Sequence, residues 1–187
     1  MPDFSIAPDG HISEEPVHTA SQEVTTAWPQ FEAQPIELNM LLLRCFRMIA
    51  TSTEAAVERH GLTLSRASTL SRLYLAREQG LTIGKIATLQ DMTHANASKL
   101  VEGLVKDGLV QKTTNPDDAR SMNATLTPKG EELAQIVGPL LYGAIDEAWS
   151  GLSALEQRVL SHLLSKLRLI TLAGEGDVES WLATIDG

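Results

Sequence analysis

Residues 82–108 read TIGKIATLQDMTHANASKLVEGLVKDG, and two threonines in this stretch each stand directly before a short helical pattern. Thr82 and Thr93 are favourable N-cap residues, because a threonine hydroxyl can accept a hydrogen bond from an unpaired N–H group of the first helical turn. Gly108 is well placed to end the second helix, since glycine readily adopts the left-handed conformation that follows a helix. The stretch therefore predicts two short helices joined by a tight turn.

The second of these helices is predicted to have two chemically different faces. Its inner face is apolar and can rest on the preceding helix; it carries Ala97, Leu100, Val101, Leu104 and Val105. In a DNA major groove, which admits one helix, asparagine can pair with adenine, and lysine can reach guanine. The backbone N–H groups at both helix starts offer further sites for phosphate. We therefore predict DNA contacts from Thr82, Thr93, His94, Asn96, Ser98 and Lys99.

A β-hairpin is predicted directly after the two helices. Residues 113–127 read TTNPDDARSMNATLT, in which two polar strands flank an acidic turn and one arginine. Two short helices followed by a hairpin describe a winged helix-turn-helix, which is a mainly α fold with a small β-wing. Taken alone, Arg120 is better explained by an exposed ion pair with Asp117 or Asp118, and such a pair stabilises a protein little.

Longer helices are predicted on both sides of this DNA-binding region, which we place at residues 62–127. Apolar residues recur at three-to-four spacing over residues 36–60 and again between residues 128 and 173. Because these helices are apolar on more than one face, we favour a dimer interface, built by residues 35–61 and 128–173, over a single thick core.

The two ends of the chain are predicted to be tails. Residues 1–34 contain several prolines and show no helical period, so we expect an acidic, flexible segment. The sequence GEGD is expected to end the last long helix, which leaves residues 174–187 as a C-terminal tail.

Charge is distributed unevenly along the 187 residues, whose formal net charge is −9. Residues 1–35 contain six acidic residues and no lysine or arginine, whereas residues 59–129 contain ten basic and six acidic residues. The overall acidity argues weakly against nucleic-acid binding, but a basic middle flanked by acidic ends restores that possibility.

Residues 62–133 resemble the MarR family of transcriptional regulators. That family shows L-T-x-x-x-L/I-A, then T-x-x-x-x-[ST]-[KR]-L-V-x-x-L-x-x-x-G-L-[VI], then a wing with D-x-R, and then L-T-x-x-G. The matching positions here are Leu81, Thr82, Ile86, Ala87, Thr93, Ser98, Lys99, Leu100, Val101, Leu104, Gly108, Leu109, Val110, Asp118, Arg120, Leu126, Thr127 and Gly130. The chain departs from the family pattern at Gln90, Asp91, His94 and Asn96, so the resemblance does not indicate which DNA sequence is preferred.

The resemblance implies a homodimeric regulator, most often a repressor, that binds a pseudo-palindromic operator in double-stranded DNA and is released by a small-molecule effector. It implies that Arg120 enters the minor groove and that Asp118 holds the wing in shape. Arg44 and Arg47 are candidates to bind an aromatic or anionic effector, but we favour snorkelling at a dimer surface as their role.

Other chemistry is weakly supported by the sequence. Cys45 lies on a mostly apolar helix face, so we expect a buried structural thiol rather than a redox sensor. The five histidines are scattered without metal-ligand spacing, and no nucleophile–base set is visible, so we expect no metal, no cofactor and no enzyme activity.

The chain shows neither a membrane span nor a signal peptide pattern, and its single cysteine fits a reducing compartment, so a cytoplasmic protein is expected. The alternative to a DNA-binding regulator is a winged-helix module that binds other proteins, which the overall acidity favours.

Overall fold

A computed structural model describes residues 3–114 and 122–182, with side chains described as far as residue 172. The chain forms two units, Met1–Tyr142 and Gly143–Gly187. The elements follow in the order β1 (Phe4–Ile6), β2 (Ile12–Glu14), α1 (Glu15–Ala27), α2 (Ala33–Glu58), α3 (Leu64–Ala76), a 3-10 turn (Arg77–Gln79), β3 (Leu81–Thr82), α4 (Ile83–Leu89), α5 (His94–Lys106), β4 (Val110–Thr114), β5 (Met122–Leu126), α6 (Pro128–Trp149) and α7 (Ala154–Leu182).

The core of the first unit lies between α3, α4, α5 and a small sheet. Its buried side chains are mostly aliphatic and include Leu70, Leu73, Ile86, Ala97, Val101, Leu104 and Ala124. The sheet has the strand order β3-β5-β4 and is antiparallel, with Val110 opposite Leu126 and Thr114 opposite Met122. This arrangement confirms the predicted mainly α fold with a β-wing. The sequence analysis missed β3, because a two-residue strand carries no alternating pattern.

Hydrogen bonds at the helix ends confirm the predicted caps. The Thr82 hydroxyl accepts from the Lys85 N–H at 3.1 Å, and the Thr93 hydroxyl accepts from the Asn96 N–H at 3.2 Å. Gly108 follows α5 with φ of +71°, a value that glycine adopts without strain. The two threonine caps set where α4 and α5 begin, and the conformation of Gly108 allows the chain to turn away where α5 ends.

The start of α6 is tied to the end of α5 by contacts from three residues, Thr127, Lys129 and Gly130. The Thr127 hydroxyl donates to the Gly108 carbonyl at 2.7 Å, and the Thr127 N–H donates to the Leu109 carbonyl at 3.1 Å. The Lys129 ammonium donates to the Asp107 carbonyl at 3.0 Å. Gly130 is buried against Leu109, where a Cβ atom would come within 1.9 Å of the Leu109 carbonyl oxygen.

The expectation that residues 1–34 lack helical structure is wrong. Strands β1 and β2 pair as a hairpin, and α1 packs against α2 with Val17 and Ser21 fully buried. Two pairs with α2 add to this packing: Arg44 Nη2 lies 3.2 Å from Glu14 Oε1, and His18 Nδ1 lies 3.4 Å from Glu37 Oε2. The helix was missed because it buries only a narrow face, and that burial depends on packing against α2.

In the second unit, α7 continues to Leu182, so the prediction that GEGD ends the helix is wrong. Each glycine costs a helix only about 1 kcal/mol relative to alanine, which does not by itself stop a long helix. A capping box stands at the start of this helix. The Ser153 N–H and hydroxyl donate to Glu156 Oε2 at 2.7 and 2.6 Å, and the Ser153 hydroxyl accepts from the Glu156 N–H at 3.3 Å.

This capping box makes the start of α7 sensitive to acid. The side-chain and backbone hydrogen bonds from Ser153 hold the pKa of Glu156 below the ordinary glutamate value of 4.5. A lowered carboxyl pKa stabilises the folded state above the ordinary value, and this stabilisation is lost as the pH falls through the lowered pKa. We expect Ser153→Ala to raise the pKa of Glu156, as measured by NMR titration of its carboxyl group. An unchanged midpoint would show that the Ser153 hydroxyl does not donate to Glu156.

Large apolar side chains remain exposed on two helices of the single chain. They are Leu38, Leu42, Leu43, Phe46 and Met48 on α2, and Leu155, Val159, Leu163, Leu164, Leu167, Ile170 and Leu172 on α7. Cys45 is also exposed on α2, so the expected burial of its thiol within the chain is wrong. The predicted dimer interface stays a prediction. Among the helices described, none combines the length and the apolarity needed to cross a membrane.

Candidate nucleic-acid interface

The first turn of α5 presents polar side chains above an apolar face. Ala97, Val101 and Leu104 are buried on one side of the helix, whereas His94, Asn96 and Lys99 are exposed on the other. Because Thr93 caps the helix through the Asn96 N–H, the remaining N–H groups of this turn stay available to an anion. Three of the residues predicted to contact DNA therefore share one exposed end of a helix.

Ser98 differs from these three residues, since it is only half-exposed and its hydroxyl is engaged. It donates to Glu102 Oε1 at 2.9 Å, one helical turn further along α5. Lys112 Nζ on β4 lies 3.6 Å from the same carboxylate oxygen. The Ser98 hydroxyl is thus engaged within α5, and its predicted contact with DNA stays a prediction.

Glu102 and Lys112 belong to this candidate interface by position, and the sequence analysis missed both. The four-residue spacing of Ser98 and Glu102 could have indicated their pairing. No sequence signal connects Lys112 with α5, because Lys112 reaches Glu102 only when strand β4 packs beside that helix. A carboxylate at this position can accept a hydrogen bond from the amino group of cytosine, and it repels phosphate.

Thr82 occupies a different part of the surface. Its hydroxyl is used to cap α4, and its backbone pairs with Asn123 in the β3–β5 ladder. The exposed Lys85 lies in the first turn of the same helix. A DNA contact here would therefore come from the start of α4 as a whole rather than from the Thr82 hydroxyl.

The turn between α4 and α5 is tight despite its departure from the family pattern. Asp91 has φ of +52°, a left-handed conformation that aspartate tolerates better than most residues. Gln90 donates a side-chain hydrogen bond to the Thr69 hydroxyl, which ties the turn to α3. The Met92 N–H donates to the Ala87 carbonyl at 3.0 Å. Gln90 and Asp91 thus permit a tight turn between α4 and α5 although both depart from the family pattern.

The base of the wing is anchored to the turn after α3. Asn123 is buried, and its side-chain amide donates to the Gln79 carbonyl at 3.0 Å. Next to it, Gly80 has φ of +63° and packs so closely on β5 that a Cβ atom would lie 2.4 Å from the Ala124 carbonyl oxygen. Asp118 and Arg120, the two wing residues singled out from the sequence, lie outside the described residues, so their roles stay predictions.

Arg44 and Arg47, the candidate effector ligands on α2, already have partners within the chain. Arg44 pairs with the buried Glu14 at 3.2 Å, and the Arg47 Nε donates to the Leu43 carbonyl at 3.3 Å. The Glu14 pair argues against Arg44 as a ligand for an effector carboxylate. Among the described residues, no cluster of three or more His, Cys, Asp or Glu residues could hold a metal ion.

The three helices α3–α5, the antiparallel wing and the exposed start of α5 define a winged helix-turn-helix protein. A family model described as MarR family matches residues 60–121. The chain is 30% identical over 140 residues to YkoM of Bacillus subtilis, an HTH-type transcriptional regulator, and the match covers 73% of this chain and 90% of YkoM. This chain belongs to the MarR family, and it is a winged-helix transcriptional regulator.

Two further comparisons agree with this assignment. The transcriptional repressor MprA of Escherichia coli K12 is 22% identical over 137 residues, covering 73% of this chain and 78% of MprA. The crystal structure of the S. aureus MepR–DNA complex superposes with a TM-score of 0.61 at 25% identity, covering 69% of this chain and 94% of MepR. The solved structure confirms the predicted fold.

Proposed function

We propose that this protein is a transcriptional repressor that acts in the cytoplasm and binds double-stranded DNA as a homodimer at a pseudo-palindromic operator. The observation that carries the proposal is the first turn of α5, where exposed His94, Asn96 and Lys99 stand above a fully buried apolar face. MprA is named a repressor, and MepR was solved with DNA, which supports the same use of the fold here.

The proposed dimer follows from the apolar surface that one chain leaves in water. Monomeric proteins rarely expose large contiguous apolar patches, and such patches commonly mark interfaces. Because α2 and α7 carry most of the exposed leucines, we propose that both helices contribute to the interface of a twofold dimer. A dimer of this kind presents two copies of α5, which can enter major grooves one helical turn, about 34–36 Å, apart.

Within each half-site, the residues of α5 differ in their proposed tasks. Asn96 can make a paired contact with adenine, whereas Lys99 and His94 can reach guanine or phosphate. Ser98 holds the Glu102 carboxylate in place. Phosphate contacts position the protein and add affinity, while the contacts with base edges supply sequence preference.

Arg120 is proposed to enter the minor groove from the wing, with Asp118 supporting the wing. A narrow minor groove concentrates negative potential and attracts arginine. We expect Arg120→Ala to weaken operator binding by about 1–3 kcal/mol, measured by fluorescence anisotropy at fixed salt. Arg59→Ala, which changes an arginine at the end of α2, serves as the control. Overlapping titration curves for Arg120→Ala and the unmodified protein would remove Arg120 from the interface.

An effector is proposed to act through a cavity of about 440 Å³ between α3 and α6. Its walls include Ser71, Tyr74, Leu75, Pro139 and Tyr142, and its size suits a small aromatic molecule. A ligand here would bias the position of α6, whose first residues hold the end of α5. Such a ligand releases DNA only if it binds the two conformations with different affinities.

Selection of bound fragments from genomic DNA tests the function directly, followed by titration at several salt concentrations. A regulator that neutralises several phosphates loses affinity with a slope of about −0.9 per phosphate in a plot of log affinity against log salt. The alternative, a winged-helix module that binds other proteins and not DNA, predicts that no sequence is enriched. Enrichment of a pseudo-palindrome would exclude that alternative.

A further inference from the structure

The N-terminal segment of residues 3–27, here called the arm, is a folded part of the first unit. It consists of the β1–β2 hairpin and α1. Val17 and Ser21 are fully buried, and Glu14, of which only 8% is exposed, pairs with Arg44 of α2. An isolated two-stranded hairpin is marginally stable at best in water, so this attachment to α2 sets the direction in which the hairpin faces.

One face of the hairpin is apolar and uncovered. The strand register pairs Phe4 with Glu14 and Ile6 with Ile12, so these four residues share a face, while Ser5 and Ser13 lie on the other. Phe4, Ile6 and Ile12 are 60%, 73% and 62% exposed. Glu14, on this same face, pairs with Arg44 of α2, which fixes one end of the hairpin on that helix.

The charge of the arm restricts what can cover this face. The arm contains no lysine or arginine, and four of its five acidic residues are exposed, namely Asp3, Asp9, Glu15 and Glu23, whereas Glu14 is buried against Arg44. An acidic surface repels nucleic acid and anionic lipid. A fitting partner therefore offers exposed apolar side chains together with cations.

Helix α7 of the same sequence has that combination. Its residues 154–172 contain Arg158, Lys166 and Arg168 but only one acid, Glu156. Arg158, His162 and Lys166 are spaced four residues apart and are exposed. They form a row beside the exposed Leu155, Val159 and Leu163, because residues three and four apart are neighbours on a helix. The chain thus carries two uncovered apolar surfaces of opposite charge.

We propose that the arm of one copy docks on α7 of a second copy, so that Phe4, Ile6 and Ile12 cover the apolar row while the arm's acids face the basic row. In a twofold dimer this contact occurs twice, once for each arm. This inference rests on the homodimer that is part of the proposed function. It makes the arm a component of the dimer interface rather than a tail.

The test compares full-length variants by sedimentation equilibrium and by the rate of subunit exchange between two fluorescently labelled preparations. Phe4→Ser/Ile6→Ser/Ile12→Ser is expected to raise the dimer dissociation constant at least about tenfold, because the apolar contact is lost. Ser5→Ala/Ser13→Ala, on the opposite face of the hairpin, is the matched control and is expected to stay within about twofold. Circular dichroism checks that the helical content is unchanged.

A second variant keeps the test decisive if the serine variant unfolds the arm. Arg158→Glu/Lys166→Glu changes only exposed residues of α7 and is expected to weaken the dimer as well. Combined with the serine variant, it should add less than its separate effect, since both act on one contact. Fully multiplied effects, or a dissociation constant that neither variant changes, would overturn the proposal.

Other uses of the arm predict different results. If the arm instead competed with DNA for the basic surface of the winged helix, the serine variant would leave the dimer unchanged. Reversing acids of the arm, as in Asp3→Lys/Asp9→Lys, would then raise affinity for nonspecific DNA. An unchanged dimer together with this gain in DNA affinity would reject the docking on α7 while leaving the operator-binding function intact. Conversely, if the dimer depended on the arm but the protein selected no genomic DNA, the proposed function would be rejected and the docking of the arm on α7 would be retained.

Discussion

Replacing Gly130 by alanine is expected to lower the free energy of unfolding by about 3 kcal/mol, a large part of the stability of a typical domain. The added Cβ would lie 1.9 Å from the Leu109 carbonyl oxygen and 2.8 Å from its carbon. Both are backbone atoms, and the Leu109 carbonyl also accepts the Thr127 N–H, so neither side can move without losing a hydrogen bond. Urea unfolding followed by circular dichroism measures the change.

Gly143→Ala is the matched control for this prediction, because Gly143 lies in the same helix and a Cβ there meets nothing within 4 Å. That substitution should stabilise the protein by roughly 0.5–1 kcal/mol, since alanine restricts the unfolded chain more than glycine does. Gly130→Ala should also weaken operator binding in the fraction that stays folded, because the joint between α5 and α6 must open. Equal stability of the two variants would show that α6 does not approach Leu109 as described.

The second large effect is expected at the exposed end of α5. Asn96→Ala/Lys99→Ala should weaken operator binding by about 2–6 kcal/mol in total, because each paired base contact contributes about 1–3 kcal/mol. Both side chains are exposed and away from the buried face of α5, so the unfolding midpoint should change little. Anisotropy titrations at several salt concentrations should also show a shallower salt slope if Lys99 meets a phosphate.

Lys106→Ala is the control, since Lys106 is an exposed cation in the last turn of the same helix. It should reduce affinity far less, because the end of α5 near Gly108 is held against the start of α6. If Lys106→Ala matched the double variant, the contact with DNA would be a general attraction to positive charge. The first turn of α5 would then have no special place in recognition.

Features that depend on residues close in sequence were predictable. The caps at Thr82 and Thr93 and the left-handed Gly108 each involve groups within a few residues, and the structure places all three as expected. The arm was not predictable, because its helix is stabilised by contacts with α2. Glu14 and Arg44 are 30 residues apart, and nothing in either neighbourhood indicates the pair.

The candidate site likewise contains some features that local sequence predicts and others that depend on the fold. The exposed positions of His94, Asn96 and Lys99 follow from helical spacing once the buried face of α5 is known. The engagement of Ser98 with Glu102 and the arrival of Lys112 beside them depend on the wing folding back onto α5. The exposure of Cys45 was mispredicted because an apolar helix face indicates that it is covered, but not whether the same chain or another chain covers it.

The two capped helices, the wing that follows them and the polar end of α5 could be predicted from the amino acids, because each rests on local hydrogen bonding or helical periodicity. The arm against α2 and the close approach of Gly130 between α5 and α6 became visible only in the folded chain. These features join distant parts of the chain, and side-chain spacing along a sequence carries no information about which distant surfaces meet.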